Sequence, residues 1–275
     1  MIMSILKQFE QFLQEDEKSP ATIEKYLRDV RYFLCYIGDK MPMKQDVLAY
    51  KKHLGEQYAV RSANSMIASL NSYLRFTGRP QLCVKQYKIQ QEAYCSSRKE
   101  LTREEYMRLI RAAEREQNTR LSLIVQTICA TGIRVSELSA ITVEAVRTGE
   151  AVVSCKGKIR KIFLVRELRE KLKRYTEKQN VQTGVVFTTS SGKPVNRSNI
   201  WREMKNLCKQ ADVDPEKVFP HNLRHLFART FYGIEKDIAK LADILGHSNI
   251  NTTRIYIITT GFEHQKRMEN LRLLL

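Results

Sequence analysis

The stretch from Pro220 to Tyr256 begins P-H-N-L-R-H-L-F-A-R-T-F-Y, continues through K-L-A-D-I-L-G-H-S and closes on N-T-T-R-I-Y. Leu223, Leu226, Phe227 and Phe231 recur at helical spacing, so the first part is expected to form a helix with an apolar face. His221 and Arg224, three apart, share a face of that helix. His225, beside Arg224, is read as facing elsewhere. Gly246 marks a helix end, His247 follows it, and Tyr256 comes nine positions later. The stretch thus gathers an imidazole, a guanidinium and a phenol. A guanidinium grips phosphate oxygens as a fork. An imidazole exchanges protons near neutrality, and a phenol can act as a nucleophile. Taken singly these residues are ordinary: a buried histidine, an ion-paired arginine, one of twelve tyrosines. Residues 237–256 alone also resemble a helix-turn-helix with its turn at Gly246.

Toward the N-terminus, Leu121 to Ala130 is apolar and reads as a buried helix that Thr131-Gly132 breaks. Arg134 sits at the break, a place that equally suits a solvated helix end. Glu137, three residues on, can hold its guanidinium. Val152 to Cys155 and Ile162 to Val165 read as two short strands joined by a basic turn, Lys156 to Lys161. In that turn Lys156 and Lys158 are rival candidates for a phosphate contact. Val185 to Phe187 is expected to add a strand, and Ser198 to cap a helix running to about Ala211.

The flanking chain divides by pattern. Residues 1–88 read as all helix, with Ser19-Pro20 starting one helix and Gly38 ending it. A polar stretch, 89–99, reads as a linker. A second domain, 100–275, opens on a capping box formed by Thr102 and Glu105. After Tyr256 the tail carries Met268, Leu271, Leu274 and Leu275, an apolar stripe that either folds back or meets another molecule.

Composition narrows the partners. Lys+Arg number 47 against 30 Asp+Glu, a net charge of +17, which favours nucleic acid or an anionic membrane. No apolar run approaches the roughly 20 residues needed to span a bilayer, and no cleavable signal pattern opens the chain. Nucleic acid in the cytoplasm is therefore the favoured setting, with no membrane partner. The six cysteines are scattered without a C-x-x-C pair, so neither a zinc site nor a disulfide framework is expected.

In order and spacing these residues resemble the tyrosine recombinases, the integrase family of DNA breaking-and-joining enzymes, and especially its short Xer-like members. The family pattern runs Arg, hairpin Lys, H-x-x-R, an L-G-H-like motif, then Tyr. Here it is matched by Arg134, Lys156, His221 with Arg224, His247 and Tyr256. The resemblance implies a mainly α fold. An all-helical, SAM-like core-binding domain (1–88) and a mostly helical α+β catalytic domain with a small antiparallel sheet (100–275) would form a C-shaped clamp on DNA. It implies attack by Tyr256 on a phosphodiester, giving a 3′-phosphotyrosyl bond and a free 5′-hydroxyl. Arg134 and Arg224 would clamp the phosphate and His221 would serve as base. Lys156, which the family match favours over Lys158, would serve as acid. His247 would bond the phosphate and Glu137 would support Arg134. No cofactor or metal is implied, and a homo-tetramer on two DNA sites is. A type IB topoisomerase using the same chemistry, or a non-catalytic DNA-binding regulator on the same fold, are the alternatives.

Overall fold

The computed structural model describes residues 2–38, 40–89, 100–155 and 158–257, the side chains of residues 2, 3, 155, 158 and 257 excepted. The chain divides into two compact units, Met1–Gln91 and Glu92–Leu275.

The first unit holds four helices, α1 (Ile2–Glu15), α2 (Pro20–Ile37), α3 (Lys44–Gln57) and α4 (Val60–Phe76). The Ser19 side chain accepts from the Thr22 backbone N–H at 3.3 Å, with Pro20 at the first helical position, and the chain leaves α2 at Gly38. Phe9, Leu13, Val30, Phe33, Val47, Leu54, Ile67 and Leu74 form the core, each drawn from the apolar stripe of its helix. Residues 83–89 carry no regular structure. Two amide side chains of α4 stand in for a partner strand there. Asn71 accepts from the Val84 N–H and donates to its carbonyl, and Asn64 does the same for Tyr87. That satisfies backbone groups that the fold half-buries.

The second unit opens with α5 (Arg103–Arg115), whose capping box closes as expected: Thr102 Oγ1 accepts from Glu105 N and Glu105 accepts from Thr102 N. Next come α6 (Thr119–Thr131), a 3-10 turn (Val135–Ala140) and α7 (Val143–Thr148). Strands β1 (Glu150–Cys155) and β2 (Lys158–Phe163) follow, and then α8 (Arg166–Lys178) and α9 (Arg197–Ala211). The last three are α10 (Pro220–Glu235), α11 (Ile238–Leu245) and α12 (Ile250–Ile257). Helix α6 is buried along most of its length, and Leu121, Ile124 and Ile128 pack with Leu109, Leu138, Leu172, Phe187, Leu207 and Leu223 in the main core. A smaller cluster joins Ala228 of α10, Leu241 and Leu245 of α11, and Tyr256 of α12.

Three local expectations are revised. The hairpin is tighter than its polar sequence suggests. Lys158 to Lys161 belong to β2, not to a turn, and Arg160 lies opposite Val153 in the antiparallel register. Residues 185–187 form no strand; the segment makes isolated bridges, Thr142 to Val185 and Thr188 to Pro194. The cap of α9 is Asn196, which accepts from Asn199 N at 2.8 Å, not Ser198. An asparagine oxygen reaches the third N–H as well as a serine does, so either residue satisfied the pattern.

Candidate active site

Helix α6 ends on Gly132, whose positive φ of 65° turns the chain out of the helix. Arg134 follows in extended conformation. Glu137, in the next turn, folds back so that one oxygen accepts from the Arg134 N–H and the other from its guanidinium, both at 2.9 Å. Glu137 is also gripped from the hairpin. Arg160 reaches its two oxygens at 2.7 and 3.1 Å. Burial alone would raise this carboxyl, but the bonds from Arg160 and Arg134 hold it below the usual carboxylate range. Glu137 is thus an anion serving two guanidinium groups.

Arg224 of α10 is only 1% exposed. It hydrogen-bonds uncharged groups: the carbonyl oxygens of Gly132 and Leu245 and the Nε2 of His247 at 3.0 Å. Its Nε is buried and has no partner among the described residues. Burial, then the like charge of Arg134, drives this guanidinium down to about 10. A buried cation held by neutral acceptors is costly until an anion arrives. Arg134, Arg160 and Arg224 against Glu137 give these four side chains a surplus of two positive charges.

Tyr256 lies among three imidazoles. Its hydroxyl is 3.4 Å from His221 Nε2, its ring stacks on His247 with centroids 5.6 Å apart, and His225 meets it edge-on at 4.3 Å. Position 225 therefore does not face elsewhere. It lies four residues from His221, hence on the same helix face, and the two rings stand 4.8 Å apart. All three imidazoles are shifted toward the neutral form. His221 is lowered by burial and then by Arg224, Arg197 and Arg134. Burial and then His221 take His225 to about 3, and burial and then Arg224 take His247 to about 4.

His247 follows the Gly246 cap of α11, and its Nδ1 lies 2.8 Å from Thr253 Oγ1. Gly246 also leaves room for the hairpin. A Cβ there would stand 2.7 Å from NH1 and 2.9 Å from Cδ of Arg160.

The structure so brings together Arg134, Glu137, His221, Arg224, His247 and Tyr256. Lys156 lies outside the described residues, as does the tail after residue 257, and the side chain of Lys158 is not described. Segment 237–256 does form two helices around Gly246, but its buried residues pack on α10 and carry Tyr256 into the site. Sequence reasoning missed Arg160, His225 and Thr253. The first two had a signal: Arg160 shares a strand face with the apolar Ile162, two residues on, and His225 follows His221 by one helical turn.

The chain belongs to the phage integrase family. That family's model matches residues 99–260, and the model of the phage integrase N-terminal SAM-like domain matches residues 6–81. Tyrosine recombinase XerA of Thermococcus kodakarensis is 29% identical over 280 residues, covering 98% of this chain and 96% of the relative. Tyrosine recombinase XerD of Halalkalibacterium halodurans is 28% identical, covering 93% of each. The fold is also similar to that of one chain in the structure of a lambda integrase tetramer bound to a Holliday junction, with a TM-score of 0.73 at 18% identity over 92% of this chain and 76% of that one.

Proposed function

We propose that the chain is a site-specific recombinase that cuts and rejoins double-stranded DNA through Tyr256. The phenol oxygen attacks the scissile phosphorus, a 3′-phosphotyrosyl bond forms, and the bond to the 5′-oxygen breaks. A phenol in water keeps its proton at neutral pH, so a base is needed. His221 has its Nε2 facing the hydroxyl and is biased to the neutral form, as a base must be. The leaving 5′-oxygen takes a proton from Lys156, the family match, with Lys158 as its rival. A 5′-hydroxyl from a partner strand then reverses the step, and the phosphodiester energy is conserved in the tyrosyl ester.

The observation that carries this reading is Arg224: a buried guanidinium with no carboxylate among the described residues, beside a buried tyrosine. With Arg134 it stabilises charge on the non-bridging phosphoryl oxygens as the transition state forms. Glu137 holds Arg134 and Arg160, and His247 acts on Arg224. Recombination needs four strand cuts, so four protomers on two DNA sites would complete the reaction. The SAM-like domain would bind DNA beside the scissile phosphate, and the cytoplasm is where such a substrate is met.

The test is Tyr256→Phe. It removes one oxygen and leaves every charge in place. On a nicked duplex that traps the unmodified chain, the variant should bind DNA yet show no protein-linked band on a denaturing gel. A covalent band from the variant would refute the assignment.

A further inference from the structure

We propose that Thr253 is a positioning residue for strand cleavage: its hydroxyl fixes the hydrogen of His247 on Nδ1, which leaves Nε2 free to accept from Arg224 and orient that guanidinium. The inference rests on the reading of Arg224 and Tyr256 given above.

The argument starts from valence. Arginine carries donors only, so at the 3.0 Å contact with Arg224 the His247 Nε2 must accept. A neutral imidazole has one N–H, and if Nε2 accepts, the hydrogen sits on Nδ1. Nδ1 is 2.8 Å from Thr253 Oγ1, which therefore accepts it. The depressed titration of His247 agrees with a neutral ring.

Without the hydroxyl, the Nδ1–H of this half-buried ring would lose the acceptor it has in the fold. Moving the hydrogen to Nε2 relieves that, but then two donors, Nε2–H and the Arg224 N–H, point at each other. Arg224 would keep the carbonyls of Gly132 and Leu245 and lose the third acceptor that sets its plane. Thr253 is completely buried, three residues before Tyr256 and on the same side of α12. Its bond to His247 therefore also ties the nucleophile's helix to the end of α11. Thr252, its chemical twin, is exposed.

The experiment uses the full chain and two variants, Thr253→Val and Thr253→Ser. Valine keeps the shape and loses the hydroxyl; serine keeps the hydroxyl. The probe is a nicked duplex selected from a randomised pool by covalent capture on the unmodified chain. At saturating duplex, Thr253→Val should form adduct about 10- to 100-fold more slowly, while Thr253→Ser stays within about threefold of the parent. Nitrogen-15 spectra of the unmodified chain, with the His247 signals assigned by their loss in His247→Gln, should show the Nδ1–H tautomer. Because this measurement needs no variant of Thr253, it stands whether or not valine is tolerated. An Nε2–H tautomer in the parent would overturn the proposal. So would a Thr253→Val rate equal to the parent's, or a Thr253→Ser rate as slow as valine's. Tyr256→Phe separates the two levels. If it still forms adduct, the reading of the whole site fails. If it is silent while Thr253→Val is fast, only the role of Thr253 fails.

Discussion

Among the described residues each unit buries one carboxylate among cations, and the two solve the problem differently. In the first unit Asp29, 5% exposed, takes Lys25 at 2.5 Å, Ser69 at 2.8 Å and Arg28 at 3.5 Å. Lys25 also donates to the Ser65 carbonyl and to Ser69, so its donors are used within the helix pair α2 and α4. In the second unit Glu137 takes Arg134 and Arg160, and nearby Arg224 takes no carboxylate among the described residues. One cluster closes on itself and holds two helices in register. The other leaves cationic donors over, beside a tyrosine. Surplus donors, more than buried charge as such, separate a reactive site from a structural bridge.

The comparison breaks most easily at the arginines. Arg134→Ala and Arg224→Ala should each slow adduct formation by at least about 100-fold, the usual cost of one lost transition-state donor. DNA binding measured by gel shift should fall far less, since many other basic residues meet phosphates. Equal losses in binding and cleavage would make the surplus donors ordinary DNA contacts. Glu137→Gln keeps the shape but weakens the hold on both guanidiniums, and should slow adduct formation by about 10-fold while lowering the melting temperature. Asp29→Asn should lower the melting temperature by several degrees and leave the rate per folded molecule unchanged. If Asp29→Asn slowed cleavage as much as Glu137→Gln, the distinction between closed and open clusters would fail.

The smallest effect is in pH. A histidine in the unfolded chain titrates near about 6.5. His221, His225 and His247 all titrate below that in the fold, with His225 at about 3 and His247 at about 4. Between those values the unfolded chain binds more protons, so stability rises with pH there. It is fully present above about 6.5 and is lost as the pH falls toward 4. Melting temperatures should drop between pH 7 and pH 5, and His225→Phe should flatten part of that drop. The same shift keeps His221 a neutral base below the ordinary histidine range, so cleavage should persist at pH values where a solvent-exposed imidazole would already be charged.

How legible these features were in the sequence follows from which forces set them. The helices of the first unit and α5, α6 and α10 were plain, because apolar periodicity and capping residues are local signals. Arg134, Glu137, His221, Arg224, His247 and Tyr256 could be gathered because their order and spacing resemble a known pattern. The hairpin bounds could not: K-G-K-I-R-K is polar enough to pass for a turn, and only its pairing with Ala151 to Cys155 makes Arg160 a strand residue facing inward. Thr253 was invisible for a different reason. Nothing chemical separates it from Thr252, and the difference appears only when α12 packs against the smaller cluster.

Gly246 shows what that packing demands of anyone who would diversify this chain. Gly78 and Gly246 both have positive φ, but a Cβ at Gly78 meets nothing within 4 Å whereas one at Gly246 runs into Arg160. At Gly78 the requirement is conformational, and asparagine, which tolerates that backbone, is an acceptable replacement. At Gly246 the requirement is empty volume as well. A methyl group there presses on a guanidinium 86 positions away in the chain, and through Glu137 on Arg134. In a mutational library the two glycines would look identical by backbone angle and opposite by tolerance, so the L-G-H motif is constrained from the hairpin side as well as by its own helix end.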